Sequence, residues 1–118
     1  MSKSERARRR RPITINDIKT ANAASGGTWF GSSEMSYFSS IVYPDVWQRR
    51  GGVLFITSEA YDPRAERRFS LRLARTDANG WPFGPIETVG GFQLYATYDE
   101  AEVGAIHNHN AGLPACDI

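Results

Sequence analysis

The sequence of 118 residues has a single cysteine, Cys116, and no apolar run near the roughly 18 residues that a membrane-spanning helix requires. One cysteine excludes an internal disulfide, so we expect a reducing, cytosolic compartment. The arginine-rich start lacks the apolar stretch of a signal peptide, so we expect no export. A chain of this length buries about two-thirds of its unfolded surface, which is enough for one domain without metals or disulfides.

Motifs that carry catalysis are also scarce. The three Gly-Gly pairs lack both the Gly-x-Gly-x-x-Gly spacing and the Lys-Ser/Thr step of a phosphate loop. No serine lies in a nucleophile elbow. The carboxylates Glu59, Asp62 and Glu66 fall around a turn, where solvated acids are expected. Because no set of residues fills mutually supporting catalytic roles, the sequence predicts that the protein is not an enzyme.

Two histidines, His107 and His109, precede Cys116 and Asp117, and all four side chains are of metal-ligating types. The His-x-His spacing suits a strand, whereas here it ends a predicted helix, where cations interact favourably with the helix dipole. The cysteine lies in the segment 111–118, which we expect to be a loose tail. We therefore expect no metal and no cofactor. A small hydrolase or metal enzyme that uses the two histidines is an alternative.

What the chain does have is a strong division of charge. Residues 1–12 contain six cations and one acid, a net charge of +5, while residues 13–118 carry −4. The segment 1–12 has almost no apolar side chains to bury, so we predict a disordered basic arm. Its arginines could neutralise phosphates in a sequence-independent, salt-dependent way; they are Arg6, Arg8, Arg9, Arg10 and Arg11. A solubilising tail, or an arm that contacts its own acidic domain, is the alternative.

Hydrophobic periodicity predicts a single α+β domain over residues 13–110. We expect two short helices first, one that ends near Ala24 with Asn16 or Thr14 as its cap, and one over residues 33–39. Three to four antiparallel strands and one C-terminal helix that starts near Thr97 follow. With all helices on one face of the sheet, the domain would have two layers.

Strand periodicity is clearest over residues 67–75, which predicts a half-buried antiparallel strand. The alternation places Phe69, Leu71 and Leu73 inward, and Arg68, Ser70 and Arg72 outward. A further strand is expected from Ile86, while Pro82 and Pro85 are expected to prolong the loop before it.

Aromatic and arginine side chains together are typical of interface anchors. The sequence predicts a partner-binding surface from Tyr43, Trp47, Arg49, Arg50, Arg68 and Arg72. Two plainer interpretations stay open at this point. A small domain needs large aromatic side chains in its core, and arginines on a sheet face are commonly just solvated.

Several short segments together resemble a family of small uncharacterised proteins in phages, plasmids and bacterial genomes. They are residues 14–18, Trp29 with Phe30, residues 41–44, residues 57–59, residues 88–90, Phe92 with Gln93, and residues 95–97. The similarity spans roughly residues 13–106 and carries no catalytic residues. What the resemblance implies is a mobile-element context, in which small proteins often bind host machinery and inhibit CRISPR or restriction systems.

From the residues and the resemblance together, we expect a non-enzymatic phage or mobile-element accessory protein. Its partner would be a host protein or ribonucleoprotein complex, with no membrane partner, and we expect it to act as an inhibitor of host defence. The alternative is a small nucleic-acid-binding regulator that uses the basic arm.

Overall fold

The computed structural model describes residues 13–31, 39–49, 51–62 and 64–111. The elements in chain order are helix α1 (Ile15–Ala24), strands β1 (Ser39–Arg49), β2 (Gly52–Ala60), β3 (Arg68–Thr76) and β4 (Pro82–Val89), and helix α2 (Tyr98–Ala111). The strands form one antiparallel sheet in the order β1-β2-β3-β4. The predicted α+β class is confirmed, and the described sheet has four strands where three to four were expected.

Helix α1 begins at a capping box. The hydroxyl of Thr14 accepts a hydrogen bond from the Asp17 backbone N–H, and the Asp17 carboxylate accepts one from the Thr14 backbone N–H. Of the two predicted caps, Thr14 is therefore the one used. The helix ends before Ser25, whose N–H bonds back to Ala21, and Gly27 then takes the left-handed conformation at φ 70°.

The sheet is covered on both faces because β2 alternates between two apolar sets. Val53 and Phe55 belong to a core with Ile15 and Ile18 of α1. Leu54 and Ile56 belong to a second core that includes these residues of β3 and α2: Leu71, Leu73, Ala101 and Ala105. The helices thus lie on opposite faces, here called the α1 face and the α2 face. The predicted two-layer arrangement, with all helices on one face, is wrong, and the described helices and sheet form three layers.

The two outer strands are irregular. Strand β1 runs through Pro44, and its register against β2 shifts between Val42 and Val46. Strand β4 begins at Pro82 and includes Pro85, so the prediction that both prolines extend a loop is wrong. Both strands lie at edges of the described sheet, where a missing backbone N–H need not interrupt a ladder.

Helix α2 packs closely on the sheet through its small residues. Ala101 and Ala105 are fully buried. Gly104 lies so close to the Tyr95 ring that an added Cβ would be 2.8 Å from the ring's Cζ. Among the described helices, none is long and apolar enough to cross a membrane.

Several predictions fall on residues that the structure does not describe. They are the basic arm over residues 1–12, most of the predicted second helix over residues 33–39, and the tail over residues 112–118. Ser39, the last residue of that predicted helix, is the first residue of β1.

Candidate functional site

The α1 face changes character halfway along the sheet. On β2, the residues directed to this face are apolar at Val53 and Phe55 and polar at Thr57 and Glu59. Their neighbours on β3 follow the same order, because Ala74 pairs with Val53 and the polar residues Arg72, Ser70 and Arg68 pair with Phe55, Thr57 and Glu59. Helix α1 covers the apolar half. The charged and hydroxyl side chains of this face lie in the polar half.

A buried ion pair lies at the centre of this polar half. The guanidinium Nη2 of Arg72 is 3.2 Å from Oε2 of Glu59, and the two side chains are 2% and 1% exposed. Arg72 was predicted to point to solvent and Glu59 to be a solvated turn acid, and both predictions are wrong. The physical reason is that the α1 face of the sheet is covered by other parts of the protein. Polar residues whose side chains alternate onto this face are therefore buried.

Hydroxyl groups complete the hydrogen bonding of the pair. Thr57 accepts a hydrogen bond from Arg72 Nε at 2.9 Å and donates one to Glu59 Oε2 at 2.5 Å. Ser70 donates to Glu59 Oε1 at 2.8 Å, and Thr88 of β4 accepts from Arg72 Nη1 at 2.9 Å. We call these five residues the Glu59–Arg72 network. It spans three neighbouring strands and fixes both charged groups in one geometry.

Two aromatic rings lie against the arginine. The Arg72 Cζ is 5.8 Å from the ring centroid of Phe30 and 5.4 Å from that of Phe92. Both distances fall within the range of a cation–π contact. Phe30 also packs edge-on against Phe55, at 6.4 Å between centroids, so it joins the network to the apolar half of the face.

The loop after β4 is hydrogen-bonded to the Glu59–Arg72 network through Gln93. Gln93 takes a left-handed conformation, φ 58°, which is uncommon for a residue with a side chain. Its backbone N–H donates to Ser70 Oγ, its side-chain amide donates to the Glu59 carbonyl, and its carbonyl accepts from Arg68 Nε. These three bonds hold Gln93 in place and position the neighbouring Phe92 on Arg72.

Burial shifts both charged groups toward their neutral forms. Desolvation raises the pKa of the Glu59 carboxyl, while the hydrogen bonds from Thr57 and Ser70 and the charge of Arg67 oppose the rise. Burial alone lowers the pKa of Arg72 to about 10. Arg72 therefore remains a cation at neutral pH, and the pair places a fixed dipole inside the protein.

A cavity of about 240 Å³ opens beside the network. It is lined by Lys19, Asn22, Phe30, Ser40, Val42, Thr57, Glu59 and Arg72. Helix α1 supplies the first two of these residues and β1 supplies Ser40 and Val42. The arrangement combines an apolar wall, a charged floor and exposed polar groups at the rim, which are features of a small ligand or side-chain pocket.

The predicted partner-binding residues whose side chains are described lie on opposite faces of the sheet. Tyr43 lies on the α2 face, where its hydroxyl is 3.0 Å from Ser58 Oγ and its ring packs against Phe69 and Tyr98. Trp47 is half-buried against the same core. Arg68 donates to the carbonyls of Gln93 and Leu94.

Apart from Arg72, which belongs to the Glu59–Arg72 network, the other predicted binding residues have no described side chain. Arg50 and the arm arginines belong to undescribed segments, and only the backbone of Arg49 is described. The predicted nucleic-acid contact through the arm therefore stays a prediction.

The histidines of α2 are separated from the cavity by the sheet. His107 is exposed, while Nδ1 of His109 is buried without a hydrogen-bond partner. In the part of the chain that the structure describes, no three His, Cys, Asp or Glu side chains are grouped as metal ligands. Cys116 and Asp117 fall outside that part.

Sequence reasoning overlooked Glu59 because the strand that contains it was predicted to end too early. Glu59 was predicted to lie at a turn, whereas it lies within β2, which continues to Ala60. Continuing the period of two would have placed Glu59 on the same face as Phe55 and Thr57. The signal was available in the sequence, but the apparent turn at Asp62 hid it.

A family model described as a family of unknown function, DUF7447, matches residues 14–106. No curated protein and no solved structure matches the chain. The matched region contains both helix α1 and all four strands, and therefore every residue that lines the cavity.

Proposed function

The chain belongs to the family of unknown function DUF7447, and we propose that it acts by binding, without catalysis, on a host protein or nucleoprotein in the host cytosol. The proposed contact site is the cavity beside the Glu59–Arg72 network. The observation that carries this proposal is the placement of a fully buried ion pair at the floor of an open cavity.

A buried ion pair is costly as a purely structural device. Removing each charge from water costs several kcal/mol, and well-packed apolar residues of similar volume are often equally stable. The opposite face of the same sheet is built in that apolar way, from Leu54, Ile56, Leu71 and Leu73. A charged pair beside a cavity is therefore better explained by recognition than by stability.

The surroundings of the cavity suit a macromolecular partner. Lys19 and Ser40 at its rim are exposed. Phe92, which lies on Arg72, keeps 40% of its surface exposed. An exposed aromatic ring next to a recess is the usual geometry of an interface anchor, with a partner side chain in the recess.

The site is also pre-organised for binding. Its residues lie on a capped helix and on paired strands, and the loop that carries Phe92 is fixed through Gln93. Such a site loses little conformational freedom when a partner docks, so more of the contact energy appears as affinity.

The test is affinity purification from the native host with two matched variants of β1. Ser40→Trp fills the cavity, whereas Ile41→Trp changes the adjacent residue, which faces the other side of the strand pair. We expect a protein partner that survives nuclease treatment, is retained by the second variant and is lost by the first. A partner that both variants retain would exclude the cavity as the contact site.

Inhibition of a CRISPR or restriction system is the specific form of this function that the phage and plasmid resemblance implies. Expression in hosts that carry each system tests it. We expect slower interference with wild-type protein and with Ile41→Trp, and unchanged interference with Ser40→Trp. No slowing in any system would count against this form of the proposal.

Nucleic-acid binding through the basic arm is a second candidate, favoured by the net charge of +5 over residues 1–12. Binding by such an arm rests on counterion release and so weakens steeply with salt. Deletion of residues 1–11 should then abolish binding and flatten the salt dependence. Unchanged binding after the deletion would reject the arm as the contact.

A further inference from the structure

We propose that the cavity recognises a carboxylate group, with Lys19 as the charged contact at its rim. The inference rests on the proposed binding function of the same cavity and adds the chemistry of the group that enters it. Its support is the balance of charges and hydrogen-bond donors along the cavity wall.

Among the described residues that line the cavity, one cation has no carboxylate to balance it. Glu59 and Arg72 neutralise each other across 3.2 Å. Lys19 is exposed on α1, and no described carboxylate lies within ion-pair distance of its ammonium group. The described lining residues Lys19, Arg72 and Glu59 therefore carry a net charge of +1, which favours an anionic group.

The one carboxylate among the described lining residues, that of Glu59, is already engaged. The Glu59 carboxylate receives hydrogen bonds from three donors, those of Thr57, Ser70 and Arg72. Three of the roughly four acceptor positions of this carboxylate are therefore occupied, which leaves little for a hydrogen-bond donor on a ligand.

Donors, in contrast, remain available at the rim. Asn22 uses its Oδ1 to accept a bond from the Trp29 backbone N–H at 3.0 Å, which leaves its NH₂ group as a donor. The hydroxyl of Ser40 lines the same cavity. An ammonium, an amide NH₂ and a hydroxyl together match the two oxygens of a carboxylate.

The apolar lining residues determine which group can be attached to the carboxylate of the ligand. Phe30 and Val42 provide an apolar surface between the rim and the floor. The volume of about 240 Å³ lies below the usual range of drug-sized pockets, roughly 300–1,000 Å³. A carboxylate on a short apolar or flat body fits, supplied either by a free small acid or by a side chain or C-terminus of the protein partner.

A titration of the full chain with benzoate, followed by ¹H–¹⁵N chemical shifts, tests the inference. Benzamide, a neutral molecule of the same shape, is the ligand control. We expect benzoate to shift the amides of Lys19, Asn22 and Ser40 and to bind at least about tenfold more tightly than benzamide. Equal binding of the two probes, or shifts confined to other regions, would overturn the proposal.

Two variants separate the site from general charge effects. Lys19→Gln should weaken benzoate binding about tenfold or more, because a charge-assisted bond is lost. Arg64→Gln removes an exposed cation that does not line the cavity and should leave binding unchanged. An unchanged affinity in Lys19→Gln, with its fold verified by circular dichroism, would also reject the assignment.

Competition between benzoate and the captured protein partner then identifies the source of the carboxylate. It also separates the carboxylate inference from the proposed binding function. Release of the captured protein partner by benzoate indicates a carboxylate of the partner, while retention with benzoate bound indicates a free acid. If benzoate fails to bind but Ser40→Trp still loses the partner, the carboxylate inference falls and the binding function stands. If benzoate binds but Ser40→Trp loses no protein partner, the proposed binding of a protein is rejected and the carboxylate inference stands.

Discussion

The guanidinium of Arg72 and the carboxylate of Glu59 form an ion pair that is almost completely withdrawn from solvent. Strands β2 and β3 supply one member each, and the two residues are not direct cross-strand partners, because Phe55 lies opposite Arg72 and Arg68 lies opposite Glu59. The pair is therefore diagonal across the strand ladder, and Thr57 bridges it.

Neutralising one member of this ion pair should destabilise the protein strongly. In Glu59→Gln the Arg72 cation stays buried without its carboxylate, so we expect the free energy of unfolding to fall by about 3–5 kcal/mol. The double variant Glu59→Gln/Arg72→Met should lose less than the sum of the two single losses, by at least about 1 kcal/mol. Urea unfolding measures all three variants, and strict additivity would contradict the coupling.

The chain contains a matched control for that experiment. Arg75 and Glu87 form an ion pair on the α2 face whose side chains are 28% and 39% exposed. Because solvent screens this pair, Glu87→Gln should cost only about 0–1 kcal/mol. A loss as large as that of Glu59→Gln would show that burial is not the reason for the difference.

Gly84 is required for the position of Trp29. A Cβ at Gly84 would lie 2.7 Å from Cδ2 of that ring, and the ring cannot move freely because the Trp29 backbone bonds to Asn22 and Ile86. We expect Gly84→Ala to destabilise the protein by about 1–3 kcal/mol. Gly91→Ala, where the added Cβ meets no atom within 4 Å, should change stability by less than about 0.5 kcal/mol.

Gly104 lies in α2, where alanine would ordinarily be preferred by about 1 kcal/mol. The Tyr95 ring leaves no room for the added methyl group, so we expect Gly104→Ala to destabilise the wild-type protein. In a Tyr95→Ala background the same substitution should become stabilising, because only helix propensity remains. Thermal unfolding of the four proteins checks this reversal of sign, and destabilisation in both backgrounds would contradict the steric explanation.

Tyr98 gives a pH-dependent test. Burial raises the pKa of its phenol above the ordinary value of 10.0, and the hydrogen bond of 2.6 Å to Asp45 adds to the rise. The folded protein therefore keeps this proton at pH values where the unfolded chain loses it. The advantage of wild type over Tyr98→Phe, about 1 kcal/mol below pH 10, should decline as the pH rises above 10.

Urea unfolding of both proteins between pH 8 and about 11 measures that decline. Tyr61→Phe, at a tyrosine that is 69% exposed, controls for general alkaline effects. A constant difference between wild type and Tyr98→Phe across the range would contradict the assigned cause.

Much of the fold was predictable because it follows from local patterns. The cap at Thr14, the glycines after α1 and the strict alternation around Leu71 and Leu73 all act within a few residues of chain. The position of Arg72 was not predictable in that way, because its burial depends on α1 and on the loop with Phe92.

One sequence signal did point toward the covered face. Residues 53–56 are continuously apolar, which is typical of a strand buried on both sides, yet the neighbouring β3 alternates as a half-buried strand does. The conflict between the two strands is resolved by the charged pair, since Arg72 and Ser70 are polar and buried together with Glu59. The cavity itself could not be predicted, because it joins residues from α1 and β1 that no local pattern connects.

Strand β2 is buried at all nine of its positions. No side chain on it can change without a neighbour in another element that must accept the change. As members of the family diverge, substitutions in this strand should therefore arise in correlated pairs. Replacement of the acid at position 59 should accompany loss of the base at position 72, while β1 and β4 drift more freely.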